Sequence, residues 1–269
     1  MQIQDTMVSL GDGVSVEARR IRHNKPSGPT LVFLHESLGS IALWRRFPEQ
    51  LAEATGLDAL VFNRLGYGRS SDEVLPRPYD YLQQHGEHWL PRLLDTLAID
   101  QVVLVGHSDG GSIALFAAGA LGERVRALVT MAAHTYADHL TLKGIRDMTV
   151  KYRETDLRDK LWRYHGARTD ELFTAWHTVW LDEAFQRHLD FSGALAAITC
   201  PSLIIQGDND EYGLPQQVTD IAEGIGDTAR AVFMADTGHA PHLEKPAQVG
   251  DLICDFLPSE LARKSAVMS

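Results

Sequence analysis

A serine stands between glycines near the middle of the chain, in the sequence Gly-His-Ser-Asp-Gly at residues 106–110. The apolar run Gln101–Val105 before it predicts a strand, and the residues after it favour a helix. A serine at such a junction is forced into a sharp, strained turn that lifts its hydroxyl clear of the sheet. This pattern predicts that Ser108 is a nucleophile. A glycine-rich turn that binds phosphate or serves packing is the alternative.

A serine hydroxyl is a poor nucleophile at neutral pH and needs a base, which in turn needs an orienting acid. His239 is the predicted base, because it follows the predicted strand Ala231–Met234 and Gly238 permits a tight turn that aims its ring inward. We expect His242 to be structural or a neighbour of the pocket. Further histidines on predicted surface helices are expected to be exposed or to cap helices: His85, His88, His165, His177 and His188.

Asp210 is the predicted acid that orients this base. It follows the predicted strand Ser202–Gln206 and lies far enough into its loop to reach the histidine of a neighbouring strand. Loops at the carboxyl ends of parallel strands are where open α/β sheets gather their ligands. Asp208, nearer the strand end, and Asp138, after an earlier strand, are the alternatives.

An oxyanion formed at the serine needs N–H donors, and two backbone groups are candidates. The N–H of Asp109 directly follows the nucleophile at the start of the predicted helix. The N–H of Ser37 is the best placed in the loop after the predicted strand Thr30–His35. Losing one such donor typically lowers turnover by about 10²–10³-fold.

Predicted strands alternate with predicted helices along most of the chain, and one long helix is expected over Tyr79–Leu97. Apolar strands that alternate with helices predict an α/β fold with a mostly parallel, eight-stranded sheet flanked by helices. The expected strands are Met7–Leu10, Val14–Ile21, Thr30–His35, Ala59–Asn63, Gln101–Val105, Ala127–Ala132, Ser202–Gln206 and Ala231–Met234.

Residues 134–196 break this rhythm, because they contain no convincing strand and their pattern predicts three or four helices. We expect a core formed by residues 1–133 and 197–269, with 134–196 inserted as a helical lid. Leu172, Trp176 and Trp180 recur every four residues on one predicted helix. This stripe is consistent with simple core packing or with the wall of a pocket under the lid.

Composition narrows the possible partners and location. The chain has 269 residues and a net charge of −11, which disfavours nucleic acid and anionic membranes as partners. No signal peptide is visible, and no apolar run approaches the roughly 18 residues that span a bilayer. We therefore expect a cytoplasmic monomer or homodimer that acts on a small molecule, without a metal or other cofactor.

The three candidate residues occur in the order Ser108, Asp210, His239. This order resembles that of the α/β-hydrolase-fold enzymes, and the match runs from about residue 30 to residue 257. Residues 64–70 resemble the Arg-Gly-x-Gly-x-Ser loop of that family, and residues 238–246 resemble its Gly-His … Glu-x-Pro ending. The resemblance implies the same fold, with a lid between the sixth and seventh strands.

One position departs from this family pattern. The family usually has His-Gly where this chain has His35-Glu36, so a carboxylate lies close to the oxyanion loop. Glu36 is expected either to point away or to face the pocket. In the first case it forms an ion pair with an arginine such as Arg45, Arg64 or Arg69, and in the second it interacts with substrate or water.

The leading functional hypothesis is a carboxylesterase-like serine hydrolase that cleaves a small carboxylic ester, thioester or lactone. A second is a C–C bond hydrolase of vinylogous diketo acids in aromatic degradation, whose carboxylate substrates would need a pocket arginine. The candidates for that arginine lie in the lid: Arg153, Arg158, Arg163 and Arg168. A third is a ligand-binding member of the fold without catalysis. The residues expected to contact the substrate are Glu36, Leu38, His107, Trp176 and Trp180.

Overall fold

Eight strands form one sheet in the computed structural model, which describes residues 1–23 and 28–267, and side chains as far as Leu257. The strands are β1 (Gln2–Gly11), β2 (Val14–Arg22), β3 (Thr30–Leu34), β4 (Ala59–Phe62), β5 (Val102–His107), β6 (Val125–Met131), β7 (Ser202–Gly207) and β8 (Ala229–Met234). They lie side by side in the order β1-β2-β4-β3-β5-β6-β7-β8. The strands β3 to β8 run parallel, and the β1–β2 hairpin joins β4 in the antiparallel direction. The predicted mostly parallel, eight-stranded sheet is confirmed.

Helices connect these strands in the described part of the chain. They are α1 (Phe47–Thr55), α2 (Tyr81–Gln84), α3 (Leu90–Thr96), α4 (Asp109–Leu121), α5 (His139–Glu154), α6 (Leu157–His165), α7 (Thr169–Leu181), α8 (Glu183–His188), α9 (Ser192–Ala197), α10 (Gln216–Ile225), α11 (Pro241–Glu244) and α12 (Pro246–Val267).

The expected single helix over Tyr79–Leu97 is divided. A π-helical turn, His85–Trp89, separates α2 from α3. Pro91 explains the widening, because proline has no N–H to donate and its ring clashes with the carbonyl of Glu87 four residues earlier.

Alternate strand residues enter two separate cores, one on each face of the sheet. Leu31 and Phe33 of β3 point to the face covered by α1 and α12, whereas Val32 and Leu34 point to the face covered by α3 and α4. All four side chains are fully buried, and burial of each apolar side chain contributes about 1.5–3 kcal/mol. This burial on both faces holds the carboxyl ends of the strands in a fixed array.

Residues 134–196 lie between β6 and β7 and contain five α-helices, α5 to α9, rather than three or four. All of this stretch is described, and it contains no strand. α5, α6 and α7 pack on one another, and the rings of Tyr152 and Phe173 stack with their centroids 3.7 Å apart. α9 instead packs against α4 and α10, so it lies beside the sheet. None of the helices among the described residues has the length and apolar character required to cross a membrane.

Candidate active site

Ser108 lies in the turn between β5 and α4, with φ of +51° and ψ of −121°. A residue other than glycine rarely adopts a positive φ, so this backbone is strained. The turn is held because the Ser108 N–H donates to the carbonyl of Met131 at 2.9 Å. Glycine is required on both sides. A Cβ at Gly106 would overlap the carbonyl of Gly110, and a Cβ at Gly110 would overlap the carbonyl of Leu34.

His239 joins the serine to a buried carboxylate. Its Nε2 lies 3.0 Å from Ser108 Oγ, and its Nδ1 lies 2.8 Å from Oδ1 of Asp210. The Asp210 side chain is 1% exposed, and its Oδ1 also accepts the N–H of Tyr212 at 2.8 Å. An ionised carboxylate only accepts hydrogen bonds, so the ring proton lies on Nδ1 and the lone pair of Nε2 faces the serine hydroxyl.

Electrostatics stabilise this arrangement. Burial alone would lower the pKa of His239, but the charge and hydrogen bond of Asp210, with further charge from Glu211 and Glu36, raise it above its ordinary value. Burial likewise opposes ionisation of Asp210, yet the charge and hydrogen bond of His239 bring the pKa of that carboxyl below its ordinary value. The Asp210 carboxyl is therefore ionised near neutral pH, and His239 is a stronger base than an ordinary histidine.

The two alternative acids have other partners. Asp208 Oδ1 accepts the N–H of Thr237 at 3.4 Å. Asp138 caps the first turn of α5 by accepting the N–H groups of Leu140 and Thr141. The structure thus brings only Asp210, of the three carboxylates considered from the sequence, into hydrogen-bonding contact with His239.

The two predicted oxyanion donors flank the serine. Ser37 lines the same cavity as Ser108, and its carbonyl is held by the hydroxyl of Tyr67 at 2.7 Å. Asp109 is the first residue of α4, so its N–H has no acceptor within the helix. The Asp109 side chain points into the core, where its Oδ2 lies 3.0 Å from Nη1 of Arg64.

A cavity of about 330 Å³ opens over Ser108 and His239. Leu38, Trp176 and Trp180 line it, as predicted for substrate-contacting residues, and both tryptophans are also buried in the core. Other apolar lining residues are Leu43, Ile145, Met148, Leu157, Leu161 and Leu243. A wider groove of about 820 Å³ lies between Leu75–Tyr79 and α7, but neither Ser108 nor His239 lines it.

The lining of the smaller cavity carries both carboxylates and histidines. Its carboxylates belong to Glu36, Glu211 and Glu244, and no lysine or arginine is among its described lining residues. The two carboxylate oxygens of Glu244 accept the N–H groups of Gly238 and Ala240, so this side chain also fixes the loop that carries His239.

Glu36 faces this cavity. The alternative expectation, an ion pair between its carboxylate and an arginine, is wrong, because no such pair forms among the described residues. Its Oε2 lies 3.8 Å from Nδ1 of His107, and Arg64 contacts only its carbonyl. Arg69 pairs with Glu17 instead. Burial opposes ionisation of Glu36, but the neighbouring His107 brings the pKa of this carboxyl below its ordinary value. His107 also lines the cavity and donates from Nε2 to the carbonyl of His239 at 2.8 Å.

Two histidines expected at the surface are buried. His165 donates from Nε2 to the carbonyl of Leu38 at 3.0 Å, and His85 lies 3.3 Å from Glu73. Each follows a buried residue by four positions, Leu161 in one case and Tyr81 in the other. Helical spacing was therefore a usable signal for their burial.

Two further rings lie beside that of His239 and were not predicted from the sequence. The centroid of the Tyr212 ring lies 4.6 Å from that of His239, and the centroid of the His134 ring lies 5.7 Å away. His134 Nε2 donates to the carbonyl of Tyr212 at 2.9 Å, which holds the Asp210 loop against the end of β6. The position of Tyr212, two residues after the predicted acid, was the only signal for this role.

Comparison with known proteins gives consistent results. A family model described as the alpha/beta hydrolase fold matches residues 29–187. An epoxide hydrolase of Siraitia grosvenorii, "Epoxide hydrolase 2", is 33% identical over 146 residues, which span 54% of this chain and 43% of that protein.

Two solved structures share the fold at low identity. The 2-hydroxy-6-oxo-6-phenylhexa-2,4-dienoate hydrolase of Rhodococcus sp. strain RHA1 has a TM-score of 0.79 at 16% identity, covering 96% of this chain and 99% of that one. The enol-lactonase of Burkholderia xenovorans LB400 has a TM-score of 0.72 at 18% identity, covering 93% and 99%.

Proposed function

Because this chain belongs to the α/β-hydrolase fold family, we propose that it is a serine hydrolase that cleaves a small carboxylic ester, thioester or lactone through an acyl-enzyme. The observation that carries the proposal is the hydrogen-bonded series Ser108–His239–Asp210, with distances of 3.0 and 2.8 Å. A base within hydrogen-bonding reach of a nucleophile, itself oriented by a carboxylate, is the arrangement that activates a hydroxyl.

The proposed reaction has two halves. Ser108 Oγ attacks the substrate carbonyl while its proton moves to Nε2 of His239, and the carbonyl oxygen becomes an oxyanion that accepts the N–H groups of Ser37 and Asp109. The tetrahedral intermediate collapses, the bond to the leaving oxygen or sulfur breaks, and His239 gives that atom the proton. Water, deprotonated by His239, then attacks the acyl-enzyme, and Ser108 leaves with the proton. Asp210 stabilises the imidazolium in both halves.

The cavity supports a small, neutral substrate. Its volume of about 330 Å³ is at the lower end of the range for small-molecule sites. Apolar side chains around the two tryptophans offer a wall for an aliphatic or aromatic acyl group. The carboxylates of Glu36, Glu211 and Glu244 would repel an anionic substrate, because like charges in a site of reduced dielectric constant oppose binding.

The C–C bond hydrolase remains the second candidate, and the fold similarity to the dienoate hydrolase favours it. Such a substrate carries a carboxylate that needs a cationic partner. The lining residues described for the cavity include no arginine or lysine, so neutral esters rank first.

Two matched esters separate the candidates. We expect kcat/KM for 4-nitrophenyl hexanoate to exceed that for the 4-nitrophenyl monoester of adipic acid by about tenfold or more. Like-charge repulsion of about 1.4 kcal/mol in the transition state is enough to lower a rate constant tenfold. Glu36→Gln should narrow this preference, whereas the surface variant Glu183→Gln serves as the control.

Equal or better hydrolysis of the anionic ester would contradict the proposed substrate class, and turnover of a dienoate diketo acid alone would favour C–C cleavage. If the protein hydrolyses none of these substrates, and a ligand raises its Tm, the protein would be a binding protein.

A further inference from the structure

Arg64 is a buried cation that contacts both loops of the proposed oxyanion hole. Its side chain is 1% exposed, and its Nη1 lies 3.0 Å from Oδ2 of Asp109. Its Nη2 donates to the carbonyl of Glu36 at 3.1 Å and to the hydroxyl of Tyr67 at 3.2 Å. One rigid guanidinium therefore bridges the loop after β3 and the first residue of α4.

The contact with Glu36 fixes the direction of a neighbouring N–H. The carbonyl of Glu36 and the N–H of Ser37 belong to the same planar trans peptide unit, so they point in opposite directions. His35 Nδ1 and the Gly39 N–H also donate to this carbonyl, at 2.8 and 3.0 Å. Holding the carbonyl on the core side with three donors directs the Ser37 N–H away from the core.

The contact with Asp109 fixes the second donor. The Asp109 carboxylate accepts a hydrogen bond from the hydroxyl of Tyr81 at 2.8 Å and one from Nε1 of Trp180 at 3.2 Å, besides its ion pair with Arg64. The side chain of Asp109 is fully buried, so these partners anchor the first turn of α4, which presents the Asp109 N–H. Trp180 belongs to α7, so the inserted helices contact this donor directly.

Charge makes the guanidinium necessary. An unpaired carboxylate on the residue after the nucleophile would oppose an oxyanion formed beside that residue. Arg64 neutralises this carboxylate, and removing one partner of a buried ion pair leaves the other uncompensated. A lysine could supply the charge, but a point charge cannot contact Glu36, Tyr67 and Asp109 together as a planar fork does.

We propose that Arg64 is a positioning residue that sets both oxyanion donors, Ser37 and Asp109, and compensates the Asp109 carboxylate. The inference rests on the proposed acyl-enzyme chemistry. Its signature is a loss of oxyanion stabilisation with substrate binding retained, which a residue that only supports the fold would not produce.

The test compares Arg64→Lys with the control Arg69→Lys, which alters an exposed arginine of the same glycine-rich loop. Hydrolysis of 4-nitrophenyl hexanoate gives kcat and KM. Inhibition by an alkyl trifluoromethyl ketone reports the oxyanion itself: Ser108 Oγ adds to the ketone carbon, the serine proton moves to His239, and the ketone oxygen takes the negative charge.

For Arg64→Lys we expect kcat to fall by about 10–100-fold, KM to change by less than about threefold, and the ketone to bind more weakly by the same factor as kcat/KM. Arg69→Lys should match the unaltered protein.

Two more variants keep the test decisive if Arg64→Lys does not fold. Tyr67→Phe removes the hydroxyl that Arg64 contacts and that holds the Ser37 carbonyl, and Tyr81→Phe removes a hydroxyl that donates to the Asp109 carboxylate. Each should weaken ketone inhibition and lower kcat by the same factor. Variants with unchanged kcat and unchanged ketone affinity but a lowered Tm would overturn the inference about Arg64 and leave the proposed function standing. An unaltered protein that neither hydrolyses esters nor reacts with a fluorophosphonate would overturn the proposed function and this inference with it.

Discussion

Nε2 of His239 lies 3.0 Å from Oγ of Ser108, although 131 positions separate the two residues in the chain. Both residues follow the carboxyl ends of parallel strands, the serine after β5 and the histidine after β8. The sheet and its two cores therefore hold the proposed base and nucleophile together before any substrate binds, as general-base catalysis requires.

Asparagine at position 210 should abolish most activity without unfolding the protein. An amide can donate to Nδ1 of His239, which favours the tautomer whose proton lies on Nε2 and removes the base from the serine. We expect Asp210→Asn to lower kcat by about 10³–10⁴-fold, measured by ester hydrolysis with circular dichroism to establish folding. Asp208→Asn is the matched control and should keep kcat within about twofold. A larger loss of kcat in Asp208→Asn than in Asp210→Asn would mean that the acid is not Asp210.

The pH profile should show the strengthened base. Only neutral His239 accepts the serine proton, so kcat/KM must fall as the pH drops through the pKa of this group in the free enzyme. Since Asp210, Glu211 and Glu36 raise that pKa against the effect of burial, the acidic limb should lie above the ordinary histidine value of about 6.5.

Removing one of those carboxylates tests the cause of the shift. Glu211→Gln takes away a charge that favours the imidazolium, so the acidic limb should move to lower pH. Glu183→Gln, an exposed position on α8, should leave the limb in place. A limb that stays fixed in the Glu211 variant would mean that this carboxylate does not act on the base.

Glycine at position 110 is needed because backbone lies where a side chain would go. Gly110→Ala would push its Cβ against the carbonyls of Leu34 and His35, and we expect a loss of about 1–3 kcal/mol in the free energy of unfolding. Gly193→Ala in α9 is the control, since its Cβ meets no atom within 4 Å. That variant should be as stable as the unaltered protein or gain up to about 1 kcal/mol. Denaturant unfolding measures both, and equal stabilities would refute the close approach.

The sequence was sufficient for the strands and for the catalytic candidates because both depend on local patterns. β-branched apolar runs mark the strands, and a parallel sheet necessarily brings the loops after its strands to one edge. Ser108, Asp210 and His239 each stand in such a loop, so their order in the chain was enough to predict that they could meet.

The features that could not be predicted depend on contacts between distant segments. Glu36 faces the cavity because two of the arginines considered as partners, Arg64 and Arg69, pair with Asp109 and Glu17. Those ion pairs join positions 45 and 52 residues apart, and nothing in the local sequence selects one carboxylate over another. Side-chain pairing, unlike strand periodicity, is decided only when the sheet has formed.

Covalent labelling of Ser108 by a fluorophosphonate tests the central claim most directly. The unaltered protein should gain one adduct, seen by intact mass and located at Ser108 by peptide mapping, and should lose its ester hydrolysis in proportion. Ser108→Ala should gain no adduct and should have no more than about 10⁻³ of the original kcat, as expected when the nucleophile is absent. Full hydrolysis by Ser108→Ala, or an adduct at another residue that accounts for the loss of activity, would contradict the proposed mechanism.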